Sequence, residues 1–91
     1  MLIRSQDKRM IANFDNICTV SAFPEKDSED IYVEDGTGSL MVGRYSTKAK
    51  AMKVLDMIQE AYCKFMSVKN DDAWSGKESV FYMPEDSEVE I

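Results

Sequence analysis

The sequence predicts an α+β fold: a small antiparallel sheet of about five to six strands, one amphipathic helix packed on it, and a last strand after the helix. Three observations carry that reading. Ser39-Leu40-Met41-Val42-Gly43-Arg44-Tyr45 is an apolar, extended run that feeds into a helix-start signal at Ser46-Thr47. From Lys48 to Met66, the residues Ala51, Leu55, Ile58, Tyr62 and Phe65 fall in one stripe at about 3.6 residues per turn. Asp35-Gly36-Thr37-Gly38 is a strong turn signal between two short apolar runs, which defines a hairpin.

The other elements follow in order. Leu2 to Arg4 is a short strand, and Ser5-Gln6-Asp7-Lys8 turns, with Ser and Asp able to bond their own backbone. Arg9 to Phe14 reads as a second strand with Met10, Ala12 and Phe14 on one face, broken by Asp15-Asn16. Ile17 to Phe23 alternates again until Pro24, which lacks the amide a ladder needs, and Glu25 to Asp30 form a solvated loop. Ile31 to Glu34 and Leu40 to Tyr45 are the hairpin strands. On the helix, Val54 and Ala61 widen the stripe on one side and Met66 on the other. Lys53, Asp56, Glu60 and Lys64 take the opposite face, where Glu60 and Lys64 are ordered for an i,i+4 pair. Beyond it come a polar run at Asn70-Asp71-Asp72, then Ala73-Trp74-Ser75-Gly76, and a final strand from Ser79 to Met83 stopped by Pro84. Residues 1–84 thus read as a single domain and 85–91 as an acidic, flexible tail.

Charge is sorted along the chain. The net charge is −6, and Glu25, Asp27, Glu29, Asp30, Glu34 and Asp35 are opposed in their segment by Lys26 alone. Between Arg44 and Lys69 the balance reverses. The net sign argues against a groove that tracks duplex nucleic acid. No run approaches the ~18 apolar residues of a membrane span. Met1 to Ser5 shows no basic leader before an apolar block, so a cytoplasmic protein with no membrane partner is expected. The spacing of Cys18 and Cys63 does not fix a disulfide, and free thiols suit a reducing compartment.

Histidine is absent, which removes Ser–His and Cys–His nucleophiles, and nothing matches a zinc pattern. Gly36 and Gly38 belong to a hairpin and not to a phosphate loop. A non-enzymatic protein without cofactor or metal is expected. Its candidate site is the helix start, whose first turn carries Lys48 and Lys50 and no acid, where the helix dipole favours negative charge. Ser46 and Thr47, the free amides behind them and the two lysines could hold a phosphate, with Arg44 adding a bidentate contact. Arg4, Lys8 and Arg9 could close the site from the first hairpin or from another subunit. Trp74 could stack on a base or fold back against the core. The plainer alternative is an exposed helix start whose lysines meet the acidic loop. Met52, Met57 and Cys63 flank the helix stripe and suit a homo-oligomer contact, and a second copy could cover a sheet edge.

Two stretches taken together, Leu2 to Lys8 with Asn13 to Ile17, and Gly43 to Lys48 with Ala51 to Met57, resemble short uncharacterised proteins of phages, prophages and mobile elements of Gram-positive bacteria. The likeness spans most of the chain except Phe23 to Gly38 and brings no catalytic residues. It implies a small accessory protein of the host cytosol that counteracts a host defence. Two functions are open. One is sequestration of a small anionic, nucleotide-like signal at the helix start. The other is an acidic, protein-binding inhibitor that imitates nucleic acid as some anti-CRISPR proteins do, through Glu25 to Asp35 and Glu85 to Glu90. A structural or regulatory role in a mobile element would use neither surface.

Overall fold

The hairpin at Asp35 organises the larger half of the molecule. In the computed structural model, which describes residues 1–68 and 80–90, Asp35 Oδ1 accepts from the Thr37 amide at 2.9 Å, the Thr37 hydroxyl at 2.7 Å and the Gly38 amide at 3.2 Å. Gly36 takes a φ of 93°, which a side chain would resist. This turn joins β4 (Glu29–Glu34) to β5 (Ser39–Tyr45), and β3 (Thr19–Pro24) pairs antiparallel on the far side of β4. The first strands are β1 (Leu2–Arg4) and β2 (Ile11–Asn13); α1 runs Lys48–Val68, and β6 is Val80–Tyr82.

Among the described residues the α+β class, one long helix and a strand after it are as expected. The single antiparallel sheet is not. The six strands form two sheets of three, ordered β2-β1-β6 and β3-β4-β5. The division falls where Asp15-Asn16 breaks the strand pattern. There Phe14–Asn16 close into a 3-10 turn, with the Asn13 side chain accepting from the Asp15 amide, and the chain leaves the first sheet. Nor is the first sheet wholly antiparallel, because β6 lies parallel to β1, with Leu2 opposite Val80 and Arg4 opposite Tyr82. A parallel pair needs a long crossover, and the entire second sheet and α1 supply it.

Two boundaries differ in an informative way. The acidic loop is shorter than expected, since the turn closes with the Glu25 amide on the Ser28 carbonyl at 2.8 Å and β4 already begins at Glu29. Asp30 can enter the strand because Arg44 stands opposite it in register. Arg9 and Met10 lie before β2, in the turn that follows β1.

Helix α1 crosses β3, β4 and β5. Ala51, Val54, Ile58 and Phe65 are buried with Ile31, Val33, Val42 and Tyr45, while Leu55 and Tyr62 are half-buried. The buried stripe is therefore centred toward Val54, and Met66 stays exposed. Burying Val54 and Ile58 contributes about 1.5–3 kcal/mol each before entropy. The acidic end packs as well: Asp86–Glu88 form a 3-10 turn and Val89 joins the core. The sheets are joined by Gln6. Its amide donates to Val42 O at 2.8 Å, its Oε1 accepts from the Arg44 amide at 2.8 Å, and its Nε2 donates to Arg44 O and Pro84 O, both at 3.1 Å.

Candidate functional site

At the helix start the capping reading holds: Thr47 Oγ1 accepts from the Lys50 amide at 3.2 Å. The place also holds an anion, and it is the chain's own. Asp86 Oδ1 accepts from the Ser46 amide at 2.7 Å, and Lys50 Nζ donates to Asp86 Oδ2 at 3.4 Å and Asp86 O at 3.0 Å. The Ser46 amide, with Lys50 beside it, holds the Asp86 carboxyl below the usual carboxylate value. The turn that carries Asp86 is fixed by the Glu85 amide on Glu88 Oε1 at 2.8 Å and by buried Val89. Lys48 is exposed and has no ion pair among the described residues.

Arg44 is engaged elsewhere. Its Nε and Nη2 donate to the two carboxylate oxygens of Asp30 at 3.1 and 3.0 Å, and the Ser28 hydroxyl donates to the same carboxylate at 2.9 Å. The Asp30 side chain is 0% exposed and that of Arg44 is 62% exposed, so the guanidinium acts as a lid over a buried acid. That bidentate bond, with the Ser28 hydroxyl, lowers the Asp30 pKa against the opposing effect of burial. Arg4 Nε donates to Lys8 O at 2.9 Å and Arg9 sits in the adjoining turn, its amide on Asp7 Oδ1 at 2.9 Å. No hydrogen bond or ion pair joins Arg4 or Arg9 to Ser46, Thr47, Lys48 or Lys50. Trp74 lies outside the described residues.

A different grouping stands on the outer face of β3-β4-β5, the face turned away from α1. Antiparallel register places Ser21 and Met41 on either side of Tyr32. Phe23 meets the Tyr32 ring edge-on, with centroids 6.3 Å apart and planes at 88°. Phe23 is 57% exposed and Met41 38%. The Tyr32 hydroxyl donates to Glu25 at 3.3 Å, and a shallow hollow of about 250 Å³ runs between Phe23, Glu25, Tyr32, Glu34 and Ser39. Burial, and secondarily the charge of Glu25, keeps the Tyr32 hydroxyl protonated beyond its ordinary range. Neither Glu25 nor Glu34 pairs with a cation among the described residues. The sequence did carry this signal, in the alternation Thr19, Ser21, Phe23 and Tyr32, Glu34. It becomes a patch only once the strand register is known.

Two larger recesses stand elsewhere among the described residues. One of about 330 Å³ lies over Ala12, Ile17, Val33 and Leu40, where Asn13 and Asp35 are engaged in their own turns. The other, of about 340 Å³, lies between β3 and α1 over Phe14, Val20, Leu55, Ile58, Tyr62 and Cys63. Cys18 and Cys63 are free and both exposed, where burial is the common state of a free thiol. No helix among the described residues is long and apolar enough to cross a membrane. No protein-family model matches the chain, and no curated protein or solved structure matches it either.

Proposed function

We propose that the chain is a non-catalytic binding protein that docks through the outer face of β3-β4-β5 onto a basic surface of a partner protein. The observation that carries this is exposed Phe23 and Met41 flanking half-buried Tyr32, beside Glu25 and Glu34, which make no salt bridge among the described residues. Aromatic and Met side chains at the centre of a patch supply contact area, and charges at its edge set orientation and encounter rate. The net charge of −6 reinforces attraction to a basic partner. Two acids of the last segment are engaged within the chain: Asp86 serves the helix start and Glu88 the Glu85 amide. In the mobile-element setting that the resemblance implies, the partner is a host defence protein and binding inhibits it.

Affinity capture from a host lysate with three baits tests this reading. A basic protein held by the wild type, lost from both Phe23→Ser and the Glu25→Lys/Glu34→Lys pair, and released by about 0.5 M salt is expected. Capture that survives both variants overturns it.

A second reading has one observation in its favour: the helix start already stabilises a carboxylate. Sequestration of a small anionic nucleotide-like ligand there requires its phosphate to displace Asp86 from Ser46 and Lys50. Titration calorimetry with cyclic dinucleotides and ADP-ribose should then show tighter binding to Asp86→Ala than to wild type. Absence of heat with both proteins dismisses it.

A further inference from the structure

The two edges of the β3-β4-β5 sheet are treated differently. At β5 the Gln6 side chain plays the part of a neighbouring strand, accepting from the Arg44 amide and donating to the Arg44 carbonyl. At β3, no strand pairs with the outer edge among the described residues. Open edges are ordinarily blunted by charge, by a bulge or by extreme shortness. In a chain that is 31% charged, the six residues Thr19-Val20-Ser21-Ala22-Phe23-Pro24 contain no charge at all, and their pairing with β4 runs without a register shift. Pro24, which has no amide to offer, stands only at the end.

The outward groups can be assigned. The Glu25 amide bonds Ser28 across the turn, so the bonded pairs of this ladder fall on Phe23, Ser21 and Thr19, and the amides of Val20 and Ala22 face out. Beside them runs the apolar groove over Phe14, Val20, Leu55 and Tyr62. Edge and groove are continuous through Val20, and neither contains an ionised side chain.

We infer that β3 is the seam of a homodimer, pairing antiparallel with β3 of a second copy across a twofold axis at Ser21. This does not depend on the outer-face reading. In that register Val20 bonds Ala22 of the partner subunit and Ala22 bonds Val20 of the partner subunit, so all the outward amides are satisfied. Thr19 faces Phe23 of the partner subunit on the outer side, which reduces the exposure of that ring. On the inner side the two grooves meet along the seam, bringing Leu55 and Tyr62 of both copies together. A second copy is the occupant that the charges favour. A neutral strand and groove offer nothing for a charged peptide to pair with, whereas two copies each carrying −6 can meet here along six residues that are free of charge and bordered by an apolar groove. The product is a continuous six-stranded sheet that presents two acidic–aromatic patches on one face.

Sedimentation velocity on the full chain, with Cys18→Ser and Cys63→Ser to exclude adventitious disulfides, tests the seam. A dimer at tens of micromolar is expected. Ser21→Lys, which points away from the core and sets two like charges opposite each other, should weaken association about tenfold or more while the far-UV circular dichroism is unchanged. In the same background, Ser21→Cys should give a covalent dimer under mild oxidation, because non-bonded antiparallel pairs bring Cα atoms to about 4.5 Å. A monomeric wild type overturns the proposal. If its Val20 and Ala22 amides are protected from hydrogen exchange, another segment of the same chain covers the edge; if they exchange freely, the edge is open. A dimer indifferent to Ser21→Lys also overturns it.

Discussion

At the residue scale, Arg44 changed its meaning most between sequence and structure. As a string neighbour of Ser46 and Lys48 it looks available to a ligand; in register it closes over Asp30, fourteen positions upstream. Its removal takes two charge-assisted hydrogen bonds from the Asp30 carboxylate and leaves it the Ser28 hydroxyl. Arg44→Ala is therefore expected to lower the urea midpoint at pH 7, and to do so less at pH 3. Both the Asp30 and Asp86 carboxyls titrate below the reference value of 3.8 in the folded chain. Their contribution is complete above that value and is lost as pH falls through the folded pKa, so wild-type stability should decline on acidification below about pH 4. Urea melts of both proteins across pH 2–7 check the slope, which Arg44→Ala should flatten. Gly43 is the second telling residue. A Cβ there would stand 2.9 Å from Tyr45 Cε2 and 3.0 Å from Met83 Cε. The Tyr45 ring cannot yield, because it is fully buried and its hydroxyl donates to Pro84 O at 2.8 Å. Gly43→Ala should cost about 1–3 kcal/mol in equilibrium unfolding, the range of overpacked cores.

At the scale of elements, the helix and the hairpin were legible because each is specified locally. The 3.6-residue stripe needs nothing beyond its own segment, and it places α1 at Lys48 to Met66, where the structure has Lys48–Val68. Asp35-Gly36 likewise makes its turn with its own side chain. Three-residue strands carry no such period. The parallel union of β1 and β6 joins residues 78 apart, so nothing near Leu2 or Val80 announces it. The missing acid in the first turn of α1 has the same explanation. In sequence it looks like a vacancy for a ligand, and the structure fills it from residue 86. Thr47→Ala should cost about 1 kcal/mol through loss of the cap. Asp86→Ala should add to that loss, since the two side chains serve different amides. Thermal melts of the two single variants and the double variant measure the sum.

The whole molecule depends on how two small sheets are coupled, since α1 packs on β3-β4-β5 and the first sheet leans on that larger unit. Part of the coupling is apolar, since Ile3 of β1 and Met83, just after β6, share one buried cluster with Ile31 and Tyr45 of the second sheet. The directional part converges on Gln6, whose side chain makes three hydrogen bonds, two to Arg44 and one to Pro84. Those bonds tie the turn after β1 both to the edge of β5 and to the chain leaving β6. Gln6→Ala removes all three while leaving the backbone bond from the Gln6 amide to Val42 O. Because two of the bonds are exposed, the global loss should be modest, about 1.5–3 kcal/mol for three bonds at about 0.5–1 kcal/mol each. The distribution of that loss is the sharper expectation. If Gln6 couples the sheets, native-state hydrogen exchange should quicken more in β1 and β6 than in β3 and β4, because the first sheet then opens without unfolding the second. Uniform acceleration across both sheets would mean that apolar packing alone makes them one cooperative unit, with Gln6 contributing only to its total.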